Sequence, residues 1–333
     1  MLENLYQQPL VSVITPTYNR PEYLKQALTS AVNQTYRNIE IIVSDNCSPE
    51  NPQAIVESFN DPRIRFYRNS SNLGMLVNTI KTFKYARGKY VASLLDDDMW
   101  EPDYLAKLVP LLEENSDVAI AFCDHYMINA SGEIDMEKTE ECTRAYKRHD
   151  LKQGIYQPFA LQVLVNQSVS PAIAAVIRRD IVDWNEFTNE IAGMWDVYLS
   201  YICCRTGKGA YYYPERLTRY REHEQTDTMQ SGGRNAEAKI RKAKSEIFCY
   251  GKFLQDKNLD QFHPYFKQKW LHAHTTLGIG LIRNQQVQQA RAHLWGALQK
   301  QKFNLRTLAA LVLSYIPKPL FNRFLGNSPT ILH

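Results

Sequence analysis

Long apolar runs are missing from this chain. No stretch approaches the about 18 to 20 consecutive apolar residues that span a bilayer. The longest late candidate, Leu308 to Ile316, is far too short. The six cysteines (Cys47, Cys123, Cys142, Cys203, Cys204, Cys249) show no C-x-x-C spacing and no zinc-like grouping, which argues against a structural zinc site. The start, Met1-Leu2-Glu3-Asn4, lacks the basic and apolar regions of a signal peptide, so a cytoplasmic chain with free thiols is expected. Also absent are a G-x-S-x-G elbow, a recognisable Cys/His pairing and any low-complexity tract, which removes the common nucleophilic constellations.

Composition is otherwise that of a soluble globular protein, with room in 333 residues for one large domain plus an appendage, or for two domains. The net charge of +4 hides an asymmetry. From residue 229 onward there are 16 Lys/Arg against 4 Asp/Glu, a balance of +12, which leaves −8 for residues 1–228. Ser231-Gly232-Gly233 reads as a flexible joint and long helical patterns follow it, so the expected boundary lies between residues 228 and 229. No recognition motif or aromatic-basic platform accompanies the basic charge, which argues against nucleic acid as partner.

In the first part, short β-rich runs alternate with helical patterns. Val11 to Ile14, Ile39 to Val43, Ile64 to Tyr67, Tyr90 to Leu95 and Val118 to Phe122 read as strands. The polar stretch Thr15 to Pro21 reads as a loop, with Asn19 capping a helix whose first turn takes Pro21 and Glu22. Residues 52–59 and Leu76 to Ala86 read as further helices. Strands separated by helices imply right-handed crossovers and a mainly parallel sheet, with ligands at the carboxyl ends of the strands. The loops Thr15 to Arg20, Ser44 to Ser48 and Asp96 to Asp98 then lie near each other.

Asp96-Asp97-Asp98 is the most informative of these. Carboxylates side by side at the end of a buried strand repel each other unless a cation neutralises them. Mg²⁺ and Mn²⁺ bind oxygen ligands, typically one or two carboxylates plus substrate phosphates. The competing reading is an acidic turn that caps the next helix.

The chain resembles the inverting glycosyltransferases of family 2, which have the GT-A fold, an α/β nucleotide-sugar-binding architecture. The resemblance rests on V-S-V-I-T-P-T-Y-N-R (11–20), the S-x-V-N-Q-T-Y-x-N-I-E-I-I-V-S-D-N-C-S pattern (30–48), N-L-G (72–74) with Asn78, G-K-Y-V-A-S-L-L-D-D-D-M-W-E-P (88–102) and Y-R-E-H (220–223). It implies that Pro16, Thr17, Tyr18 and Arg20 belong to the nucleotide side of a donor site. Asp45 would hydrogen-bond the base or ribose, and Asn72 and Asn78 would approach the sugar diphosphate. The acidic run corresponds to the family's DXD-type motif. Leu95 falls on the first acidic position of the common form, so the X-D-D-D register fits better: Asp96 toward ribose and metal, Asp97 as most direct ligand, Asp98 as ligand or helix cap. Arg221 and His223 match the late Y-R-x-H motif, with His223 completing the metal shell. Asp196 matches the catalytic base, although Trp195 replaces the Glu that commonly precedes it. An N-cap role competes for Asp196, and Glu190 is the reserve base.

The implied reaction is metal-dependent transfer, with inversion, from a UDP-, dTDP- or GDP-type nucleotide-diphosphate sugar to a hydroxyl of a glycan or lipid-linked acceptor, as in cell-surface polysaccharide synthesis. Two alternatives remain: a nucleotidyltransferase, which the T-P-T-Y-N-R loop disfavours because it is not Gly-rich and basic, and a catalytically inactive nucleotide-sugar-binding or scaffold protein. Residues 229–333 read as a smaller all-helical region, and 289–298 resembles half of a tetratricopeptide-type pair. Leu305 to Leu325, broken by Pro317 and Pro319 and dotted with Arg306, Lys318 and Arg323, reads either as a helix on an anionic membrane surface or as a packing helix.

Overall fold

The computed structural model describes residues 8–170, 172–223, 235–301 and 304–316. The Ser231-Gly232-Gly233 joint, together with Pro317, Lys318, Pro319 and Arg323, lies outside the described residues. The chain divides into two compact units, Met1–His223 and Glu224–His333.

The first unit is built on a mixed sheet. Strands β1 (Val11–Thr17), β2 (Ile39–Asp45), β3 (Ile64–Arg68) and β4 (Tyr90–Ser93) form a parallel block in the order β3-β2-β1-β4. Helices α1 (Pro21–Val32), α2 (Gln53–Glu57) and α3 (Met75–Lys84) provide the crossovers. All seven residues of β1 and of β2 are buried, as expected of strands covered on both faces. The backbone packs tightly at the entry to β4. A Cβ on Gly88 would sit 2.7 Å from Leu10 O and Ser12 N, so only glycine fits there.

β1 runs three residues beyond the expected end, through Pro16 to Thr17, in register with Ser44 and Asp45 of β2. Pairing with β4 stops at Ile14 opposite Ser93, so one edge of β1 is open where proline lacks its donor, the kind of strand position proline tolerates. Nor does Asn19 cap α1. It adopts φ +54, the helix cap is Arg20 without a side-chain bond, and Pro21 takes the first turn as expected.

Five strands were not legible as separate elements: β5 (Met99–Trp100), β7 (Ile134–Asp135), β8 (Gly154–Tyr156), β9 (Ala175–Arg178) and β10 (Gly209–Arg221). β9 inserts antiparallel between β4 and β6 (Val118–Ile128), and β10 pairs parallel with β6. β5 joins the end of β10 through Trp100 opposite Thr218 and Met99 opposite Arg219, which draws the acidic run toward Arg221. Helix α4 (Tyr104–Glu114) packs its buried Leu105, Leu108, Val109 and Leu112 into the core. Helix α5 (Met136–Ala145) is tied to β6 by Thr143, whose hydroxyl donates to Asp124 Oδ2 at 2.8 Å. The buried Arg148 pairs with the same carboxylate at 2.6 Å. Helix α6 (Trp195–Arg205) precedes β10.

The second unit is helical: α7 (Ala236–Phe253), α8 (His263–Arg283), α9 (Val287–Lys300) and α10 (Leu305–Leu313). Its core gathers Ala243, Leu277, Leu281, Ala290, Leu294 and Leu311. A Cβ on Gly278 would meet Leu294 Cγ at 2.6 Å, so glycine lets α8 and α9 approach as a helical hairpin. Among the described residues no helix is long and apolar enough to cross a membrane.

Candidate active site

The ends of β1 and β4 and the loop after β10 converge on the acidic run. Asp96 Oδ2 accepts hydrogen bonds from the Thr17 hydroxyl (2.8 Å) and the Tyr18 N–H (3.2 Å). Arg20 Nη1 reaches Asp96 Oδ1 at 3.1 Å and Asp97 Oδ2 at 2.6 Å. His223 Nε2 lies 3.1 Å from the same Asp97 Oδ2. Asp98 Oδ1 accepts from the Arg221 N–H at 2.9 Å, and its Oδ2 is buried with no hydrogen-bond partner among the described residues. Burial, then the charge of Asp97, raises the pKa of Asp96 to about 6 and pushes that of Asp98 well above the usual carboxylate range. Three adjacent buried carboxylates are thus held under electrostatic strain that a further cation would relieve.

The residues present fit a divalent cation. Asp97 Oδ2 and His223 Nε2 lie 3.1 Å apart, and the buried, unpartnered Asp98 Oδ2 is a further hard donor on the same run. Among the described residues no group of three or more His, Cys, Asp or Glu side chains is arranged to hold a metal ion by itself. A Mg²⁺ or Mn²⁺ site that takes part of its shell from substrate phosphates does not require one. The capping alternative for the acidic run fails: α4 begins at Tyr104, its cap is Asp103, and no side chain caps it.

Several residues assigned to the donor by resemblance also make hydrogen bonds within the protein. Arg221 is fully buried. Its Nε donates to Asp97 O (2.7 Å), Nη1 to Asn129 O (3.2 Å) and Ala130 O (3.0 Å), and Nη2 to Gln26 Oε1 (2.7 Å). Tyr23 lies under the guanidinium at 4.6 Å. Arg221 therefore clamps the backbone of the acidic run. Asn78 is buried, accepts from the Ser44 hydroxyl and Asn69 Nδ2, and donates to Ser44 O; it ties α3 to the end of β2. Asp45 has no exposed surface. It accepts from the Ser48 hydroxyl and N–H, with Arg68 Nε at 3.4 Å. Ser48 Oγ in turn accepts from the Asn19 N–H at 2.8 Å, so Asp45 shapes the two nucleotide-side loops. Pro16 and Thr17 are buried in β1, whereas Tyr18 is 43% exposed. Asn72, on the exposed loop before α3, accepts from Asn46 Nδ2 and the Gly74 N–H.

Asp196 stands apart from this cluster, in the first turn of α6. The cap of that helix is Met194, so the N-cap reading does not hold. Its carboxylate accepts locally from the Val197 N–H at 2.8 Å. Burial raises its pKa above the ordinary aspartate value, with no cation opposing. Glu190 is exposed, and a hydrogen bond from Thr188 lowers its pKa, which makes it the poorer base. Gln26, Tyr23 and the carbonyls of Asn129 and Ala130 were not foreseen. Gln26 gave one faint signal, a polar residue between the buried Leu24 and Ala27 of α1.

Comparison with known proteins agrees with this geometry. An uncharacterized glycosyltransferase of Methanocaldococcus jannaschii is 37% identical over 154 residues, 45% of this chain and 52% of the relative. The Escherichia coli UDP-Glc:alpha-D-GlcNAc-diphosphoundecaprenol beta-1,3-glucosyltransferase WfgD is 31% identical over 120 residues, 36% of this chain and 47% of the relative. The chain thus spans about half the length of these relatives. In fold it is similar to the mannosyltransferase PcManGT of Pyrobaculum calidifontis, solved with GDP-Man and Mn²⁺. The TM-score is 0.57 at 18% identity, covering 96% of this chain and 84% of that one. Residues 12–192 match the model of glycosyl transferase family 2, more than half of the sequence, and the chain belongs to that family.

Proposed function

We propose that the protein transfers a sugar, with inversion, from a nucleotide-diphosphate sugar to a hydroxyl of a glycan or lipid-linked acceptor. The observation that carries this is Asp97 Oδ2, held between Arg20 Nη1 and His223 Nε2 at the carboxyl edge of the parallel block. An E. coli relative named for a diphosphoundecaprenol acceptor favours the lipid-linked class. The basic C-terminal unit would act in peripheral contact with the inner face of a membrane.

When bound, Mg²⁺ or Mn²⁺ supplies Lewis-acid neutralisation of the departing diphosphate; Asp97, His223 and Asp98 are the residues that would hold it. Tyr18 offers its exposed ring to the base. Thr17 and the Tyr18 N–H orient Asp96, and Arg221 fixes the backbone beneath it. Arg20 can give a charge-assisted hydrogen bond to a phosphate oxygen. Asp196 removes the acceptor hydroxyl proton as general base, and burial, which raises its pKa above the ordinary aspartate value, makes it a stronger base than an exposed carboxylate.

The test is a screen of UDP-, GDP- and dTDP-sugars by thermal shift with and without Mn²⁺, followed by donor hydrolysis. One nucleotide class should raise the melting temperature in a Mn²⁺-dependent way. Absence of any shift and any hydrolysis across the panel would count for the inactive scaffold.

A further inference from the structure

Helix α10 packs through Ala310 and Leu311 but leaves a second set of apolar residues exposed. Its inward face is Thr307, Ala310 and Leu311, with Ser314 just beyond. Leu305 is 78% exposed, Leu308 45%, Val312 56% and Tyr315 56%. Their spacing of three and four residues sets them in one stripe. Polar pins hold the helix in this orientation. Asn304 caps it by accepting from the Thr307 N–H at 2.9 Å, and the Thr307 and Thr275 hydroxyls meet at 2.7 Å. At the other end Arg291 Nη2 donates to Ser314 O at 2.7 Å, and its guanidinium lies 3.8 Å over the Tyr315 ring.

Cations cluster around Arg306 of the same helix. Arg306, next to Leu305, binds His272 and Thr276. Arg283, Arg306 and Lys242 lie close enough to Lys239 to disfavour its protonation, after burial. Lys269 and Arg306 act together on His272 and on Glu246, the one acidic side chain in this group. An exposed aliphatic and tyrosine face together with clustered cations matches an interfacial helix, with side chains entering the headgroup boundary and cations meeting lipid phosphates.

We infer that the Leu305–Leu308–Val312–Tyr315 face of α10 docks onto an anionic lipid bilayer. This deepens, and rests on, the reading of the second unit as the membrane-contacting part. It brings a lipid-linked acceptor to the enzyme.

The test uses the full chain, wild type and the double variant Leu308→Glu/Val312→Glu, with vesicles of phosphatidylcholine alone or mixed with phosphatidylglycerol. Wild type should co-sediment with the anionic vesicles, less at high salt, and not with the neutral ones. The double variant should lose about tenfold or more in partitioning, as expected when two part-inserted aliphatic side chains are replaced by charge. Both positions are exposed, so its melting temperature and its donor hydrolysis in solution should equal those of wild type. Equal partitioning of the two proteins, or no binding of wild type to anionic vesicles, overturns the inference. So does a dimer mass by light scattering that becomes monomeric in the variant, which would give the face to a second copy. Donor hydrolysis is read without lipid, so failure of the transferase reading is visible separately.

Discussion

Arg20 Nη1 lies 2.6 Å from Asp97 Oδ2, and the same nitrogen is 3.1 Å from Asp96 Oδ1. A cation of the chain itself therefore bridges the first two carboxylates of the acidic run. It neutralises the oxygen that is proposed above as a metal ligand and that His223 also approaches. A divalent ion and Arg20 compete for one atom, and a phosphate group is the natural receiver of the displaced guanidinium.

Arg20→Gln should accordingly tighten Mn²⁺ binding to the nucleotide-free protein by roughly fivefold to tenfold, about 1 kcal/mol for a partly solvated charge pair. The same change should weaken nucleoside-diphosphate binding. Titration of free Mn²⁺ by electron paramagnetic resonance reads the first effect directly. Unchanged or weaker Mn²⁺ affinity in the variant would remove the competition.

Asp97→Ala should abolish Mn²⁺-dependent binding of nucleotide sugar, more completely than Ala at Asp96 or Asp98. Asp96 faces Thr17 and Tyr18, and Asp98 faces the Arg221 backbone; Asp97 alone faces both Arg20 and His223. Calorimetry with UDP- and GDP-sugars, with and without metal, ranks the three. Wild-type affinity in the Asp97 variant would reassign the ligand.

Arg221 is expected to act on stability. Arg221→Leu strands three backbone carbonyls and the Gln26 side-chain oxygen, and each buried acceptor left without its donor costs about 1–3 kcal/mol. Arg221→Lys should recover little, since an ammonium cannot reach acceptors spread across Asp97, Asn129, Ala130 and Gln26. Urea denaturation measures both. A lysine variant of normal stability that has lost only donor affinity would restore a direct diphosphate contact.

The parallel block was legible because each of its strands is a short apolar run bounded by turn residues, with a helical period between. The acidic run was legible for its charge density alone. β9 and β10 were not, because pairing across the sheet rather than local pattern defines them. β10 crosses Pro214, where its register against β6 shifts, so no regular alternation marks it. Sequence correctly grouped Thr17, Tyr18, Arg20, Asp96, Asp97, Asp98, Arg221 and His223, but not what each side chain does. Arg221 and Asn78 carry donor-site chemistry by type, yet their burial turns every bond inward. That distinction depends on which neighbours fold over a residue, such as Gln26 or Ser44, and no spacing rule encodes it.

Asp196→Asn separates catalysis from stability most sharply. Burial raises the folded pKa of Asp196 above its unfolded value of about 3.9, so the native state binds the proton more readily than the unfolded chain. Its contribution to stability therefore falls as pH rises from about 3.9 through the folded pKa, and at neutral pH the buried charge opposes folding. The amide removes that charge and keeps an oxygen for the Val197 N–H. The variant should melt at or above the wild-type temperature at pH 7, with the difference shrinking in acid, and donor and metal affinity should not change. Transfer should nonetheless fall by roughly 10²–10⁴-fold, the range for loss of a positioned base. In the wild type, transfer should decline in acid with a midpoint above the ordinary aspartate range. A variant at least as stable as wild type, with transfer within about threefold, would show that Asp196 does not take the proton.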